Sequence, residues 1–193
     1  MSIPEIILAS ASPRRRELLA EMGVRFEVVT AEVRELDAET SPGLLSEVLA
    51  MENARMKAEA VARVHPGRWV LGADTVVALH ARLFGKPASL DRAKKFLRTL
   101  SGVEHQVITG CSLVSPAGLT YVFNEVTQVV FHQLTEEIIE QYLAEVDVLD
   151  KAGAYALQEH GEWIIERVEG SRTNVIGLPT EHLGRVLKTN GLL

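Results

Sequence analysis

Ile6-Ile-Leu-Ala-Ser-Ala-Ser-Pro-Arg-Arg-Arg-Glu-Leu-Leu19 runs an apolar strand directly into a capped helix, and that junction decides the fold class. Residues 6–9 are apolar and short enough for a buried strand. Ser12 is a good N-cap and Pro13 a good first helical residue, since its ring pre-sets φ and its missing N–H had no partner to lose. Arg14, Arg15 and Arg16 then place three cations in the first turn. The helix dipole makes each of them unfavourable by about 0.3–1 kcal/mol if exposed and unpaired. A bound anion reverses that sign, because free backbone N–H groups and guanidinium forks would point at the same phosphate. The alternative is three arginines splayed into water. The strand–serine–helix context favours a phosphate site, with one of the three arginines left to solvent.

Outward from this junction the alternation continues. The first helix ends near Gly23, and residues 26–29 read as a second strand. Residues 30–40 are acidic and irregular, holding Glu32, Glu35, Asp37 and Glu39. Ser41-Pro42 opens a helix to about Val64, closed by His65-Pro66-Gly67, with Leu44, Leu45, Val48, Leu49, Met56 and Ala60 near a 3.6-residue period. Residues 69–79 form an apolar strand interrupted by Asp74 and Thr75. Gly85-Lys86-Pro87 marks a tight turn, and Ser89 caps a helix over residues 90–100. Two β-rich runs, 105–114 and 119–131, flank Ser115-Pro116-Ala117-Gly118 as a hairpin. Thr135 caps a helix to residue 145, and residues 150–161 form a site loop. Residues 163–168 read as a strand, 171–174 as a connection, and 180–188 as a last helix. Strands alternating with helices, then a hairpin, predict an α/β fold with a mixed sheet covered by helices. No repeat or linker interrupts it, so residues 1–193 are expected to form a single domain.

Composition narrows the function classes. A net charge of −6 over 193 residues argues against a nucleic-acid polymer or an acidic membrane as partner. The basic cluster is therefore a local anion site. Cys111 is the one cysteine, which excludes an internal disulfide and suits a reducing cytoplasm; its apolar run marks it as a small buried hydrophobe. No segment has the length of a membrane span and the first residues lack a leader pattern, so a cytoplasmic protein is expected. The histidines show no zinc spacing, and no P-loop, dinucleotide fingerprint or nucleophile elbow is present.

Four features exceed what folding asks for: the Ser/Arg turn, Glu35, Asp74 in Gly72-Ala-Asp-Thr75, and Lys86. Lys57 is a weaker fifth, since alone it reads as an ordinary helix-surface lysine. Glu35 alone reads as a solvated loop acid. Asp74 does not, because a charge amid apolar strand neighbours is expensive unless paired or metal-bound; the alternative is a strand-end Asp bonded to a loop. Two acids with several cations complement a triphosphate chelated to a hard divalent ion.

These motifs together resemble the Maf family of nucleotide pyrophosphatases. Leu8 to Leu19, Gly72-Ala-Asp-Thr75, Gly85-Lys-Pro87, Asp150-Lys-Ala-Gly-Ala-Tyr155 and Gly177-Leu-Pro179 occur in the family's order and nearly span the chain. The resemblance implies an ITPase-like α/β fold, an elongated mixed sheet flanked by helices with a cleft between two lobes. It also implies cleavage of a nucleoside triphosphate between the α and β phosphates, releasing pyrophosphate. Carried over by position, Ser10, Arg15, Lys57 and Lys86 look like the phosphate-binding set. Glu35 and Asp74 look like the acidic pair that holds Mg²⁺ or Mn²⁺, with Asp74 as general base. Asn53, one helical turn before Lys57, competes with it for the alignment. Arg14, Thr75 and Gln158 match the residues of the family's dTTP/UTP branch, as opposed to its 7-methyl-GTP branch. A Gln amide offers one donor and one acceptor, enough to read a uracil or thymine edge.

The expected reaction is metal-assisted in-line attack of water on dTTP or UTP, with modified pyrimidine triphosphates as a further substrate class. The rival expectation is a nucleotide-binding regulator of cell division with little turnover. The exposed hairpin and the family pattern point to a homodimer.

Overall fold

The computed structural model describes residues 5–37 and 40–193; Glu39 of the acidic segment lies outside them. The elements run β1 (Ile6–Leu8), α1 (Pro13–Glu21), β2 (Phe26–Val28), α2 (Ser46–Val64), β3 (Trp69–Leu79), β4 (Arg82–Phe84) and α3 (Leu90–Leu100). They continue as β5 (Glu104–Val114), β6 (Thr120–Phe131), α4 (Glu136–Glu145), α5 (Gly161–Ile164), β7 (Ile165–Glu169), α6 (Arg172–Ile176) and α7 (Thr180–Thr189). Among the described residues one seven-stranded sheet has the order β2-β1-β3-β5-β6-β7, with β4 paired to β3. β1 runs parallel to β2 and β3, whereas β3–β5, β5–β6 and β6–β7 are antiparallel. The sheet is therefore mixed, as the strand–helix alternation followed by a hairpin demands.

The opening junction forms as its residues dictate. Ile6, Ile7 and Leu8 are fully buried between β2 and β3, and Ser12 caps α1 with Pro13 at its first turn. Long β3, β5 and β6 carry the sheet past the short parallel strands. At the β5–β6 turn the Gly118 amide donates to the Ser115 carbonyl at 2.9 Å, and Gly118 takes φ +81°.

The seating of α2 matters most for function. Its backbone lies directly on the sheet at Gly72 of β3 and Gly110 of β5: a Cβ at Gly72 would strike the Ala54 carbonyl oxygen, and one at Gly110 the Ala50 carbonyl. These two glycines let the helix approach closely enough to hang side chains over the middle of β3. Gly110→Ala is accordingly expected to cost about 2 kcal/mol in urea unfolding, because backbone on backbone cannot yield as a flexible side chain does.

Four boundaries differ from the sequence expectation. α2 begins at Ser46 and not at residue 41, because Gly43 takes φ +82° and Leu45 is extended at the cap. The turn expected at Gly85-Lys86-Pro87 is not there. β3 turns back instead at His80, with φ +53°, into β4, and residues 85–87 run on without regular structure. His80 is none of the residues that signal a tight turn. The run beginning at Trp163 is first helical, the Trp163 amide donating to the His160 carbonyl at 3.0 Å, and becomes strand at Ile165. Residues 172–176 form α6, capped by Ser171, whose hydroxyl accepts from the Asn174 amide at 3.1 Å.

Two large apolar clusters build the interior. One gathers Phe84, Phe96, Phe131, Tyr142 and Tyr155; the other gathers Ile6, Leu19, Leu71, Leu113 and Leu183. Cys111 lies in the second, where burial pushes its thiol up to about 12, the range of an inert buried hydrophobe. Among the described residues no helix is long and apolar enough to cross a membrane.

Candidate active site

A single cleft is lined by every residue singled out from the sequence: Ser10, Arg14, Arg15, Glu35, Lys57, Asp74, Thr75, Lys86 and Gln158. Six parts of the fold bring them there. The β1–α1 junction supplies Ser10 and the arginines, the segment after β2 supplies Glu35, α2 supplies Lys57, the centre of β3 supplies Asp74 and Thr75, and the segments after β4 and α4 supply Lys86 and Gln158.

The acids and Lys57 form its centre. Lys57 Nζ lies 2.7 Å from Asp74 Oδ1 and 2.8 Å from Glu35 Oε1. Asp74 is buried, and its other oxygen accepts from Asn53 Nδ2 at 3.0 Å. Lys57 and Asn53 are one turn apart on α2, so both reach the same carboxylate from one helix face. The two alignments that competed in the sequence are thus both at the site. Burial works against ionisation of Glu35, but the Lys57 ammonium outweighs it, helped by Lys86 and Arg15, and holds the carboxyl below the usual range.

The arginine run divides three ways. Arg16 is exposed. Arg14 reaches across the cleft to Asp150, with Nη1 3.1 Å from Oδ2. Arg15 is buried, and its hydrogen bonds go to neutral oxygens: Nε to the Gly177 carbonyl at 2.8 Å, Nη1 to Ser10 Oγ at 3.0 Å and Nη2 to Thr75 Oγ1 at 3.0 Å. Desolvation lowers its pKa, with the charge of Asp74 the largest opposing influence. A buried guanidinium without a carboxylate of its own is a costly arrangement that a bound anion relieves. It retains two N–H donors beyond the three already used.

Some functional neighbours carried weak signals or none. Thr75 Oγ1 also lies 2.9 Å from Thr109 Oγ1, and Thr109 donates to the Asn174 carbonyl at 3.0 Å, so a buried polar chain backs Arg15. Nothing in the sequence placed Thr109 or Asn174 beside β3. Lys151 is buried on the cleft wall, bonded to the Asp147 carbonyl and paired with Asp150 at 2.9 Å and Glu159 at 3.3 Å. It was visible only as part of the Asp150-Lys151 motif.

The donors suit a divalent cation. One ammonium reaches both Glu35 and Asp74, so the two acids converge on a point one cation can fill. Among the described residues no group of three or more His, Cys, Asp or Glu converges. Two carboxylates are hard oxygen donors of the kind a divalent cation takes.

Comparison with known proteins gives the family and the fold relatives of the chain. A dTTP/UTP pyrophosphatase of Akkermansia muciniphila is 46% identical over 190 residues, covering 98% of this chain and 97% of that protein. Proteins of the same name from Nitratidesulfovibrio vulgaris and Bacillus mycoides are 44% and 45% identical, covering 97% and 95% of this chain and 89% and 94% of their own lengths. In fold the chain is similar to the HAM1 protein of Coxiella burnetii (TM-score 0.56, 16% identity, 96% and 99% of the two chains). It is likewise similar to the Ham1 protein of Staphylococcus aureus (TM-score 0.53, 18% identity, 96% and 99%). The family described as Maf-like protein matches residues 5–190, and with relatives this similar along nearly its whole length the chain belongs to the Maf family.

Proposed function

We propose that this protein is a nucleoside triphosphate pyrophosphatase that hydrolyses dTTP and UTP at the α–β bond, giving the monophosphate and pyrophosphate. The observation that carries the reading is one cleft holding buried Arg15, Lys57 and exposed Lys86 against the acids Glu35 and Asp74. The names of the relatives give the substrates and favour turnover over a nucleotide-binding regulator of cell division. The two apolar clusters support a single unit with a lobe on each side of the cleft, one contributing Ser10 and Arg15 and the other Lys86 and Tyr155.

In the mechanism Ser10, Arg15, Lys57 and Lys86 take the triphosphate and stabilise charge developing on the pyrophosphate leaving group. Asp74 orients the attacking water and accepts its proton. Its two donors, Lys57 and Asn53, hold the carboxylate in one orientation, which favours the water-orienting role. Glu35 and Asp74 would hold Mg²⁺ or Mn²⁺, which when bound neutralises phosphate charge and acidifies water. Gln158 reads the pyrimidine edge and Arg14 assists from the rim. Thr75 acts on selectivity through Arg15, to which it is bonded.

A homodimer fits the exposed Leu119, Tyr121 and Val122 at the start of β6, and one buried thiol fits a reducing cytoplasm.

The test is pyrophosphate release, with Mg²⁺ or Mn²⁺, from a panel of canonical and modified pyrimidine and purine triphosphates. Preference for dTTP and UTP is expected, and a flat trace across the panel overturns the reading. Gln158→Glu is expected to erode the pyrimidine preference by about tenfold or more, since a carboxylate removes the amide donor; unchanged selectivity counts against the base-reading role.

A further inference from the structure

We propose that Asn53 is a positioning residue that fixes the two acids of the site relative to one another. This rests on the pyrophosphatase reading. Asn53 lies on α2, 1% exposed, and its amide is fully engaged. Oδ1 accepts from the Leu36 amide at 2.8 Å, while Nδ2 donates to the Leu36 carbonyl at 3.0 Å and to Asp74 Oδ2 at 3.0 Å. Leu36 directly follows Glu35. One side chain therefore clips the backbone that carries Glu35 and, with its remaining donor, sets the carboxylate plane of Asp74.

The need for such a clip is visible in the fold. Residues 29–37 have no regular secondary structure, so no ladder of backbone bonds holds Glu35 in place. Lys57 joins the two acids only through the end of a flexible side chain, and a phosphate ligand competes for that ammonium. The Asn53 link instead runs through backbone at one end and a buried strand at the other.

The chemistry of the position selects asparagine. The surroundings present two acceptors and one donor, and a short amide supplies the matching two donors and one acceptor. Aspartate keeps the shape but loses both donors and sets a like charge against Asp74. Serine loses the second donor and the reach. In-line attack is sensitive to such displacement, since a misplacement of about 1 Å can cost about 10²-fold in rate. The geometry of the acids, and with it the chemical step, depends on Asn53, whereas the phosphate-binding Arg15 is held by Gly177, Ser10 and Thr75.

The experiment compares the parent protein, Asn53→Ser, Asn53→Asp and the control Glu52→Gln, whose carboxylate pairs with Arg55 on the outer face of α2. Pyrophosphate release from dTTP gives kcat and KM, and calorimetry gives the affinity for non-hydrolysable α,β-methylene-dTTP. For both Asn53 variants kcat is expected to fall about 10- to 100-fold. KM and analogue affinity are expected to stay within about threefold, with Glu52→Gln at the parent's values. Parent-like kcat in folded Asn53 variants overturns the proposal, as does an equal loss of kcat and analogue affinity. If Asn53→Ser fails to fold, the nearly isosteric Asn53→Asp decides, and failure of both to fold assigns Asn53 to structure alone. A parent that releases no pyrophosphate from any nucleotide overturns the pyrophosphatase reading and this inference with it.

Discussion

Asp74→Asn is expected to turn over dTTP about 10³-fold more slowly than the parent, the size of effect that loss of a positioned proton acceptor produces. Asp74 sits in the centre of β3, between buried Ala73 and half-buried Thr75, with Lys57 on one carboxylate oxygen and Asn53 on the other. An amide keeps the volume but takes no proton, and it cannot accept from both donors. Turned to meet Lys57, its own NH₂ faces the NH₂ of Asn53. That donor-to-donor conflict adds about 1–3 kcal/mol of destabilisation. The loss is expected mainly in kcat, with KM moved less than about threefold, because Arg15 keeps its bonds to Gly177, Ser10 and Thr75. Steady-state pyrophosphate release, run below the variant's Tm, makes the measurement. Near-parent turnover would eliminate Asp74 both as base and as water-orienting group.

Lys57→Met is expected to damage stability and catalysis together. The Lys57–Asp74 pair is largely buried, with side-chain exposures of 11% and 10%, and removing the cation strands a buried carboxylate at a cost of about 3 kcal/mol. In catalysis the same variant loses a phosphate-binding charge, and kcat/KM is expected to fall about 10²-fold or more. The pH dependence separates the two losses. In the parent, Glu35 has its carboxyl below the usual range, so the folded state binds fewer protons than the unfolded chain near that value. Its stabilising contribution is complete above the unfolded carboxyl pKa and is lost as pH falls through the folded one. Without Lys57 this acid-side loss is expected to shrink, so mild acid harms the variant less than the parent. Urea unfolding from neutral pH down to about 4 follows both slopes. Parallel slopes for the two proteins would remove Lys57 from the electrostatic centre of the site.

Much of this was readable from short-range rules. Ser12-Pro13 announced the start of α1, and the apolar run at residues 6–9 announced β1, because capping and burial are decided by neighbours in sequence. Asp74 stood out because a carboxylate inside an apolar strand must have a partner somewhere. The misjudged pieces are those whose local signal was absent or opposed. His80 turns the chain without Gly, Asn or Asp, and the β-like run at Trp163 begins as helix after His160 takes φ +52°.

The sequence by itself determined the mixed α/β class, the strand-to-capped-helix junction of β1 and α1, and the residue types of the cleft, since these follow from periodicity, capping and the cost of buried charge. Only the tertiary structure decided which residues act on which. α2 settles onto Gly72 and Gly110, and from there Lys57 and Asn53 descend onto Asp74 from one helix face. Arg14, Arg15 and Arg16 are identical in type and adjacent in sequence, yet the 100° between successive helix positions sends them to Asp150, the buried interior and solvent respectively. Contacts between residues 17 to 162 positions apart, as in Lys57–Asp74 and Arg15–Gly177, have no signature in local pattern, because the packing that makes them is a property of the whole sheet and the helix laid across it.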